Sequence, residues 1–165
     1  MTACAVAAPA QSPDVRYEPS PPPVVTAMLE LAAVGPQDVV YDLGCGDGRI
    51  VIEAVRRYGA RGVCVDIDPQ RIAESRANAA QERVSERIEF RQEDLLQTEL
   101  RGATVVTPFL SLDMNLRLRP RLERDLRSGT RVVSHWHRMG DWPPERTVYV
   151  DDGVRSREVF LFRIK

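Results

Sequence analysis

The sequence predicts a doubly wound α/β fold: a single domain with a mostly parallel, Rossmann-like sheet of seven strands that ends in an antiparallel hairpin. Short β-branched runs alternate with segments of helical apolar spacing from residue 39 to residue 134. Two final apolar runs, residues 147–150 and 159–164, flank a loop that begins Asp151-Asp152-Gly153, and this pattern indicates a hairpin. The 165 residues have room for one domain of ordinary size.

Each element of the first part of the chain has its own local signal. The first predicted helix, residues 24–34, has apolar residues at helical spacing, and we expect Gly35-Pro36 to end it. Residues 39–43 are a β-branched and aromatic run, typical of a strand that is buried on both faces. The second helix, residues 50–58, again shows helical spacing and ends at Gly59.

The same alternation continues through the second part of the chain. A strand at residues 62–66 leads to a helix in which Asp68 is the expected N-cap and Pro69 the first helical residue. A later helical region is expected to be interrupted at Pro120, which would begin its second piece. The remaining predicted strands are short runs at residues 88–91, 103–108 and 130–134.

Composition excludes several classes of function. A net charge of −1 argues against binding nucleic acid over a large basic surface, and no apolar stretch approaches the ~20 residues that span a membrane. Lys165 is the only lysine among 23 basic residues, so a catalytic lysine is nearly excluded. The cysteines Cys4, Cys45 and Cys64 predict neither a disulfide framework nor a zinc site, and we expect Cys45 and Cys64 to be small packing residues.

The most informative segment is the glycine loop, residues 42–49, at the junction of the first strand and the next helix. Its glycines let the backbone turn tightly and approach a ligand, and the helix that follows offers unpaired N–H groups. A dinucleotide fingerprint would place its third glycine at Arg49. The loop carboxylates Asp42 and Asp47 suit a ligand with an ammonium and a carboxylate group better than a pyrophosphate.

Two further carboxylates follow the next two strands. Asp66 lies 22 residues after Gly44, close to the ~20 expected of a residue that binds ribose hydroxyls. Asp94 follows the third strand, where it can accept a hydrogen bond from an adenine amine or, alternatively, cap a helix. An amino acid, a ribose and an adenine together predict S-adenosyl-L-methionine (SAM) as the cofactor.

The glycine loop, Val65-Asp66 and Glu93-Asp94-Leu95 resemble, in this order, the motifs of class I SAM-dependent methyltransferases. The resemblance implies that the loop binds the methionine end of SAM, Asp66 the ribose and Asp94 the adenine. The predicted cofactor-binding residues are Tyr17, Asp42, Gly44, Cys45, Gly46, Asp47, Gly48, Asp66, Ile67 and Asp94.

A second set of segments carries a narrower resemblance, and it comprises residues 17–21, 42–52, 107–110, 115–120, 133–135 and 139–142. These segments resemble the small protein-lysine methyltransferases that act on mitochondrial ATP-synthase c-subunits and adenine-nucleotide carriers, together with their prokaryotic relatives. The resemblance implies a protein partner whose lysine amine is methylated. The chain departs from these relatives at Phe109, where they often have Tyr, and at Trp136 and Arg138, where they have acidic residues.

Methyl transfer from a sulfonium requires alignment of donor and acceptor, which contributes up to ~7–11 kcal/mol in well-oriented systems. A lysine acceptor must also be neutral, although its reference pKa is ~10.4, and a desolvated aromatic surrounding lowers that pKa. The candidate catalytic residues are Thr107, Phe109, Asp113 and His135, and no metal site is predicted.

Other functions remain open at this point. They are methylation of RNA or of a small molecule, a non-catalytic SAM-binding module, and an NAD-dependent oxidoreductase. The basic run of residues 117–131 can meet RNA, although Glu123 and Asp125 within it favour a solvated face. Nucleic acid is therefore the less favoured partner, and the sequence does not predict the oligomeric state.

The N-terminal residues carry the least information. We expect residues 1–16 to be a flexible tail and residues 17–165 to form the methyltransferase domain. SAM supply makes the cytoplasm the expected location. The alternative is export, because Thr2-Ala3-Cys4 resembles the end of a lipoprotein cleavage box, although the basic and apolar regions of a signal are missing.

Overall fold

Seven strands form one sheet in the computed structural model, which describes residues 18–165. The strands are β1 (Val39–Leu43), β2 (Arg61–Asp66), β3 (Ile88–Gln92), β4 (Val105–Pro108), β5 (Arg131–His135), β6 (Arg146–Asp151) and β7 (Ser156–Arg163). Their spatial order is β3-β2-β1-β4-β5-β7-β6. The first five strands pair in parallel, whereas β7 runs antiparallel to both β5 and β6. The predicted sheet and its terminal hairpin are confirmed.

In the described part of the chain, four α-helices accompany the sheet, and they are α1 (Pro22–Leu31), α2 (Arg49–Tyr58), α3 (Pro69–Gln81) and α4 (Leu112–Asp125). The predicted end of α1 at Gly35-Pro36 is wrong, because Ala33 already adopts a left-handed conformation with φ 48° and stops the helix. Among residues 18–165, no helix has the length and apolar character needed to cross a bilayer.

The predicted break at Pro120 is also wrong, because α4 continues through this residue. Proline removes one backbone donor from a helix and crowds the preceding turn. Leu118 and Leu122 lie on either side of Pro120, and both are fully buried in the core. Burial of this apolar face maintains the helix across the missing hydrogen bond.

The helices cover both faces of the sheet. On one face, Leu118 and Leu122 of α4 pack in a cluster with Leu43 and Phe160 of the strands. On the other face, α1 and α2 share a cluster with the apolar residues of β1, β4, β5 and β7, and α3 extends the cover over β2 and β3. Continuous burial on both sides explains why β1, β2 and β4 are largely apolar runs without alternation, whereas the edge strand β3 alternates.

Within residues 18–165, the predicted ligand-binding segments lie at the carboxyl edge of the parallel strands. The glycine loop follows β1, Asp66 ends β2 and His135 ends β5. β1 lies between β2 and β4, so the strand order reverses beside it, and this reversal is where open α/β sheets bind ligands. Because β7 is antiparallel to β5, the β6–β7 turn also lies at this edge.

The amino edge carries an ion-pair network instead. Arg131 of β5 forms an ion pair with Asp38, and the Thr104 hydroxyl donates to Asp38 Oδ1 at 2.7 Å. Asp38 Oδ2 accepts from the Gly35 N–H at 2.9 Å, and Arg131 Nη1 donates to the Ala32 carbonyl at 2.6 Å. The network therefore fixes the end of α1 to β1, β4 and β5.

Candidate active site

The backbone of the glycine loop is tightly packed against its neighbours. Gly44 and Gly48 both have φ +81°, a conformation that other residues rarely adopt. A Cβ at Gly44 would lie 2.9 Å from the Leu110 side chain, and a Cβ at Gly48 would lie 2.9 Å from Ser75 Cβ. Both the backbone angles and the packing therefore require glycine in this loop.

The loop is fixed to the end of β2 by backbone hydrogen bonds. The N–H groups of Gly44 and Cys45 both donate to the Val65 carbonyl, at 2.8 and 3.0 Å. The Gly46 N–H donates to Asp66 Oδ2 at 2.9 Å, while Asp66 Oδ1 accepts from the Asp68 N–H at 3.0 Å. Asp66 is thus held in one orientation next to the loop, with acceptor capacity left for the hydroxyls of a ribose.

Cys45 and Cys64 form a disulfide, with their Cα atoms 5.3 Å apart. The prediction that the cysteines form no disulfide framework is therefore wrong for this pair. The glycine loop turns back over β2 through the Val65 carbonyl, and this turn brings Cys45 next to Cys64, 19 residues further along the chain. Both side chains also belong to the apolar cluster beneath α2 and α3, so their packing role is retained.

Asp42 is the most perturbed carboxyl group of the site. It is buried at the end of β1, and the Thr107 hydroxyl donates to its Oδ1 at 2.9 Å. Burial raises the pKa of Asp42 to about 7, the Thr107 hydrogen bond opposes this rise, and the charges of Asp66 and Asp47 add to it. Thr107, predicted as catalytic, therefore acts on Asp42 in this structure.

Asp47 takes part in a network that reaches across the site. Its carboxylate forms an ion pair with Arg49 at 2.6 Å, and Arg49 Nη1 donates to the Ser20 carbonyl at 2.9 Å. The Ser20 hydroxyl is 3.0 Å from Nδ1 of His135. Through Ser20, the loop that follows β1 is thus connected to the residue that ends β5.

Two of the other predicted cofactor residues follow strands β3 and β2. Asp94 and Ile67 are half-buried after β3 and β2. Asp94 Oδ1 accepts from the Leu96 N–H at 2.9 Å, so it caps a turn, as its alternative interpretation anticipates. Tyr17 lies outside the described residues.

His135 lies in a buried, aromatic part of the carboxyl edge. It is fully buried, and its ring centroid is 4.1 Å from that of Phe109. Burial, followed by the positive charges of Arg157 and His137, lowers the pKa of His135 to about 4, so the imidazole is neutral near pH 7. Its Nε2 atom has no hydrogen-bond partner among residues 18–165.

A strained turn follows His135. Trp136 has φ +68°, and the His137 N–H donates to the His135 carbonyl at 2.8 Å, which defines a γ-turn. The Ser134 hydroxyl donates to the His137 carbonyl at 2.6 Å, and Asn115 Nδ2 donates to the same carbonyl at 3.2 Å. Such a conformation persists only where the surroundings hold it, and strained turns of this kind cluster at functional sites.

The structure does not gather the four predicted catalytic residues into one cluster. Phe109 contacts His135, whereas Thr107 contacts Asp42 and Asp113 is exposed on the first turn of α4. Two residues that organise the site, Ser20 and Asn115, had no assigned role in the sequence. Both lie in segments that resemble the lysine methyltransferases, but their partners are distant in the chain.

Comparison with protein families gives the site its context. Residues 42–146, more than half of the chain, match the family model described as the ANTKMT methyltransferase domain. The chain belongs to this family. A protein-lysine N-methyltransferase from Saccharolobus islandicus (strain REY15A) is 42% identical over 153 residues, which are 92% of this chain and 95% of that protein.

Solved structures agree with the family assignment. An RNA methyltransferase from Salinibacter ruber in complex with S-adenosyl-L-homocysteine is 49% identical, with a TM-score of 0.84, over 89% of this chain and 94% of that one. The Bacillus subtilis tRNA methyltransferase TrmK has a TM-score of 0.72 at 14% identity, covering 89% of this chain and 67% of that one, and shares the fold. This methyltransferase therefore uses SAM, and the dinucleotide-dependent alternative is excluded.

The residues present fit this cofactor. The glycine loop turns sharply at the end of β1 through the left-handed Gly44 and Gly48, and Asp66 is fixed beside it at the end of β2. The buried carboxyl group of Asp42 suits an ammonium, whose charge would favour its ionised form. Within residues 18–165, no group of three or more potential metal ligands is present.

Proposed function

We propose that this methyltransferase transfers the methyl group of SAM to the side-chain amine of a protein lysine. The observation that carries this proposal is the packing of a neutral, fully buried His135 against Phe109. We call this part of the site, around His135 and Phe109, the acceptor side. The similarity along almost the whole chain to a protein-lysine N-methyltransferase supports the proposal.

When bound, SAM supplies an electrophilic methyl group on a sulfonium. The glycine loop, Asp42, Asp66 and Asp94 are the residues that would hold it, through its methionine end, its ribose and its adenine. The leaving thioether needs no proton, so the protein has to align the acceptor and exclude water.

His135 orients the acceptor amine in this proposal. In this proposal the imidazole carries its proton on Nδ1 and donates it to the Ser20 hydroxyl 3.0 Å away, and the Nε2 lone pair then accepts a hydrogen bond from the amine. Because the pKa of His135 is about 4, the imidazole does not retain a proton near pH 7. The residue therefore directs the nitrogen lone pair toward the methyl group and is not a general base.

The aromatic surroundings also act on the charge state of the lysine. The reference pKa of its amine is ~10.4, and only the neutral amine is a nucleophile. Desolvation against Phe109 and His135 disfavours the ammonium and lowers this pKa. The proton is lost to water before the lysine enters the site.

A second candidate function is methylation of RNA. It is favoured by the solved relative from Salinibacter ruber, which is described as an RNA methyltransferase. The arginines of α4 give it little support, because Arg119 forms an ion pair with Glu123 at 2.9 Å and Arg121 with Asp125 at 2.8 Å.

Radiolabelled SAM distinguishes the two candidates. The enzyme is offered a lysine-containing protein extract and total RNA in parallel, and the label is then located by hydrolysis. We expect methyl-lysine from the protein fraction and no label in RNA. An Asp66→Ala variant, which loses the ribose acceptor, serves as the control and is expected to show little transfer to either. Label in RNA alone would overturn the proposal.

A further inference from the structure

Arginines surround the exposed aromatic residue that follows His135. Trp136 is 39% exposed, and the guanidinium carbons of Arg155 and Arg157 lie 4.8 and 5.3 Å from its ring centroid. Arg138, two residues further along, is exposed and stacks over Phe160 at 5.0 Å. We call Trp136, Arg138, Arg155 and Arg157 the arginine rim.

The positive charge of the rim is only partly neutralised. Arg157 forms a close ion pair with Asp152 at 2.6 Å. Arg155 is 3.6 Å from Glu18, a looser contact between two exposed side chains. Within residues 18–165, no carboxylate pairs with Arg138. The rim therefore has one unpaired and one loosely paired guanidinium group.

The rim lies beside the acceptor side of the site. Trp136 directly follows His135, and their ring centroids are 6.4 Å apart. Arg155 belongs to the turn before β7, and β7 pairs with β5 so that Val159 lies opposite His135. A polypeptide that delivers an amine to His135 Nε2 therefore has its neighbouring residues close to the rim.

Two physical consequences follow for a lysine acceptor. Fixed positive charge disfavours the ammonium form, so the rim lowers the amine pKa and increases the neutral, nucleophilic fraction. The same charge repels a substrate whose lysine is flanked by other basic residues. A substrate with carboxylates next to its lysine would instead be attracted to the rim.

We propose that the acceptor lysine is flanked by acidic residues, whose carboxylates bind Arg138 and Arg155 of the rim. This inference rests on the proposed function and defines its substrate class. The rim already binds carboxylates within the chain, because Asp152 and Glu18 both contact Arg157.

Three synthetic peptides test the inference with the full-length enzyme and labelled SAM. Each has a single lysine, flanked on both sides by Glu, by Gln or by Arg. We expect the Glu-flanked peptide to have a KM about tenfold below that of the Gln-flanked peptide, and the Arg-flanked peptide to have the highest KM. The difference should decrease as salt is added, because exposed charges are screened.

Charge reversal on the enzyme completes the test. A variant with Arg138→Glu and Arg155→Glu is expected to prefer the Arg-flanked peptide and to keep the wild-type affinity for SAM. Arg61→Glu is the matched control, because Arg61 is also exposed but begins β2 at the opposite edge of the sheet. It should leave the order of the three peptides unchanged.

The outcomes separate this inference from the proposed function. Methylation of all three peptides with equal KM would overturn the acidic-flank inference and leave lysine methylation intact. An unchanged preference in the charge-reversed variant would do the same. The absence of label in every peptide, with label entering RNA, would overturn both.

Discussion

Asp42 is the residue whose protonation the protein changes most, since its pKa is raised from 3.8 to about 7. Near neutral pH a small change in its environment therefore shifts its charge substantially. An ammonium ligand favours the carboxylate, so binding of such a ligand must release protons when the pH is at or below the pKa. The Thr107 hydroxyl, which donates to Asp42, is the group that adjusts this balance.

We predict that SAM affinity rises with pH between about pH 6 and about pH 8, because Asp42 gains its negative charge in this window. Thr107→Val removes the hydrogen bond that lowers the pKa, so the midpoint of this rise should move to higher pH. Thr107→Ser, which retains a hydroxyl, is the control and should keep the wild-type midpoint. Calorimetric titrations with SAM across this pH range measure the midpoint for the wild type and for each variant. Identical midpoints for Thr107→Val and the wild type would contradict the role of Thr107.

The lowered pKa of His135 makes the stability of the folded protein depend on pH. This pKa is lowered from 6.5 to about 4, so between these values the unfolded chain binds a proton that the folded protein does not. Stability is therefore expected to fall as the pH decreases from 6.5 to 4, by ~3 kcal/mol in total. Asp42 acts in the reverse sense, losing stability as the pH rises from 3.8 to about 7.

The His135→Gln variant isolates the histidine from Asp42, because Gln does not titrate and Asp42 is unchanged. Urea denaturation of both proteins between about pH 4 and about pH 7 gives the comparison. The difference in unfolding free energy between wild type and variant should grow steadily toward neutral pH. Two parallel curves would show that the imidazole is not held neutral by burial.

At the level of the elements, the glycine loop is held by the Cys45–Cys64 disulfide in addition to its hydrogen bonds. A cross-link of this length constrains the unfolded chain, with an effect of ~3 kcal/mol for loops of about 15 residues. We predict that dithiothreitol lowers the thermal midpoint of the wild-type protein. Cys64→Ser should show the lower midpoint both with and without the reductant.

Cys4→Ser is the control for this experiment, because it leaves the Cys45–Cys64 pair intact. It should keep both the wild-type midpoint and its sensitivity to dithiothreitol. If the reductant had no effect on a wild-type protein shown by thiol labelling to be fully reduced, the disulfide would not contribute to stability.

Local signals explain which elements the sequence predicts. The strands, the N-cap Asp68 and the left-handed Gly59 each depend on neighbouring residues, and all are present in the structure. The break at Pro120 was mispredicted, because the burial of Leu118 and Leu122 against the sheet outweighs a local preference. Tertiary burial of this kind is not visible within one turn of sequence.

In the candidate site, too, local signals predict some residues, whereas others depend on contacts that are distant in the chain. The glycine loop and the carboxylate Asp66 are contiguous with strands, so their spacing predicts their place at the sheet edge. The γ-turn at Trp136 depends on Asn115 and on the Glu158 carbonyl, which accepts from the Trp136 N–H at 2.8 Å. No local pattern in the sequence identifies such distant partners.

At the scale of the whole molecule, the two edges of the sheet carry different groups of residues. The carboxyl edge carries the cofactor loop and the acceptor side, whereas the amino edge carries the network of Asp38, Thr104 and Arg131. Ion pairs that are largely buried cost stability when one partner is removed, because the other is left without compensation.

We therefore predict that Arg131→Met lowers the unfolding free energy by ~2–3 kcal/mol and leaves the affinity for SAM unchanged. Arg61→Met, at an exposed position of the same edge, is the control and should change stability by less than ~0.5 kcal/mol. Denaturation and calorimetry on the two variants provide both measurements. A loss of SAM affinity in Arg131→Met would contradict the separation of the two edges.

The antiparallel insertion of β7 between β5 and β6 has a consequence for how this enzyme can diversify. Because β7 begins at the edge where β5 ends, the short turn between β6 and β7 lies on the His135 side of the sheet, separated from the glycine loop by β4 and β5. Changes in the length or charge of that turn can therefore retarget the enzyme while its donor half stays constant.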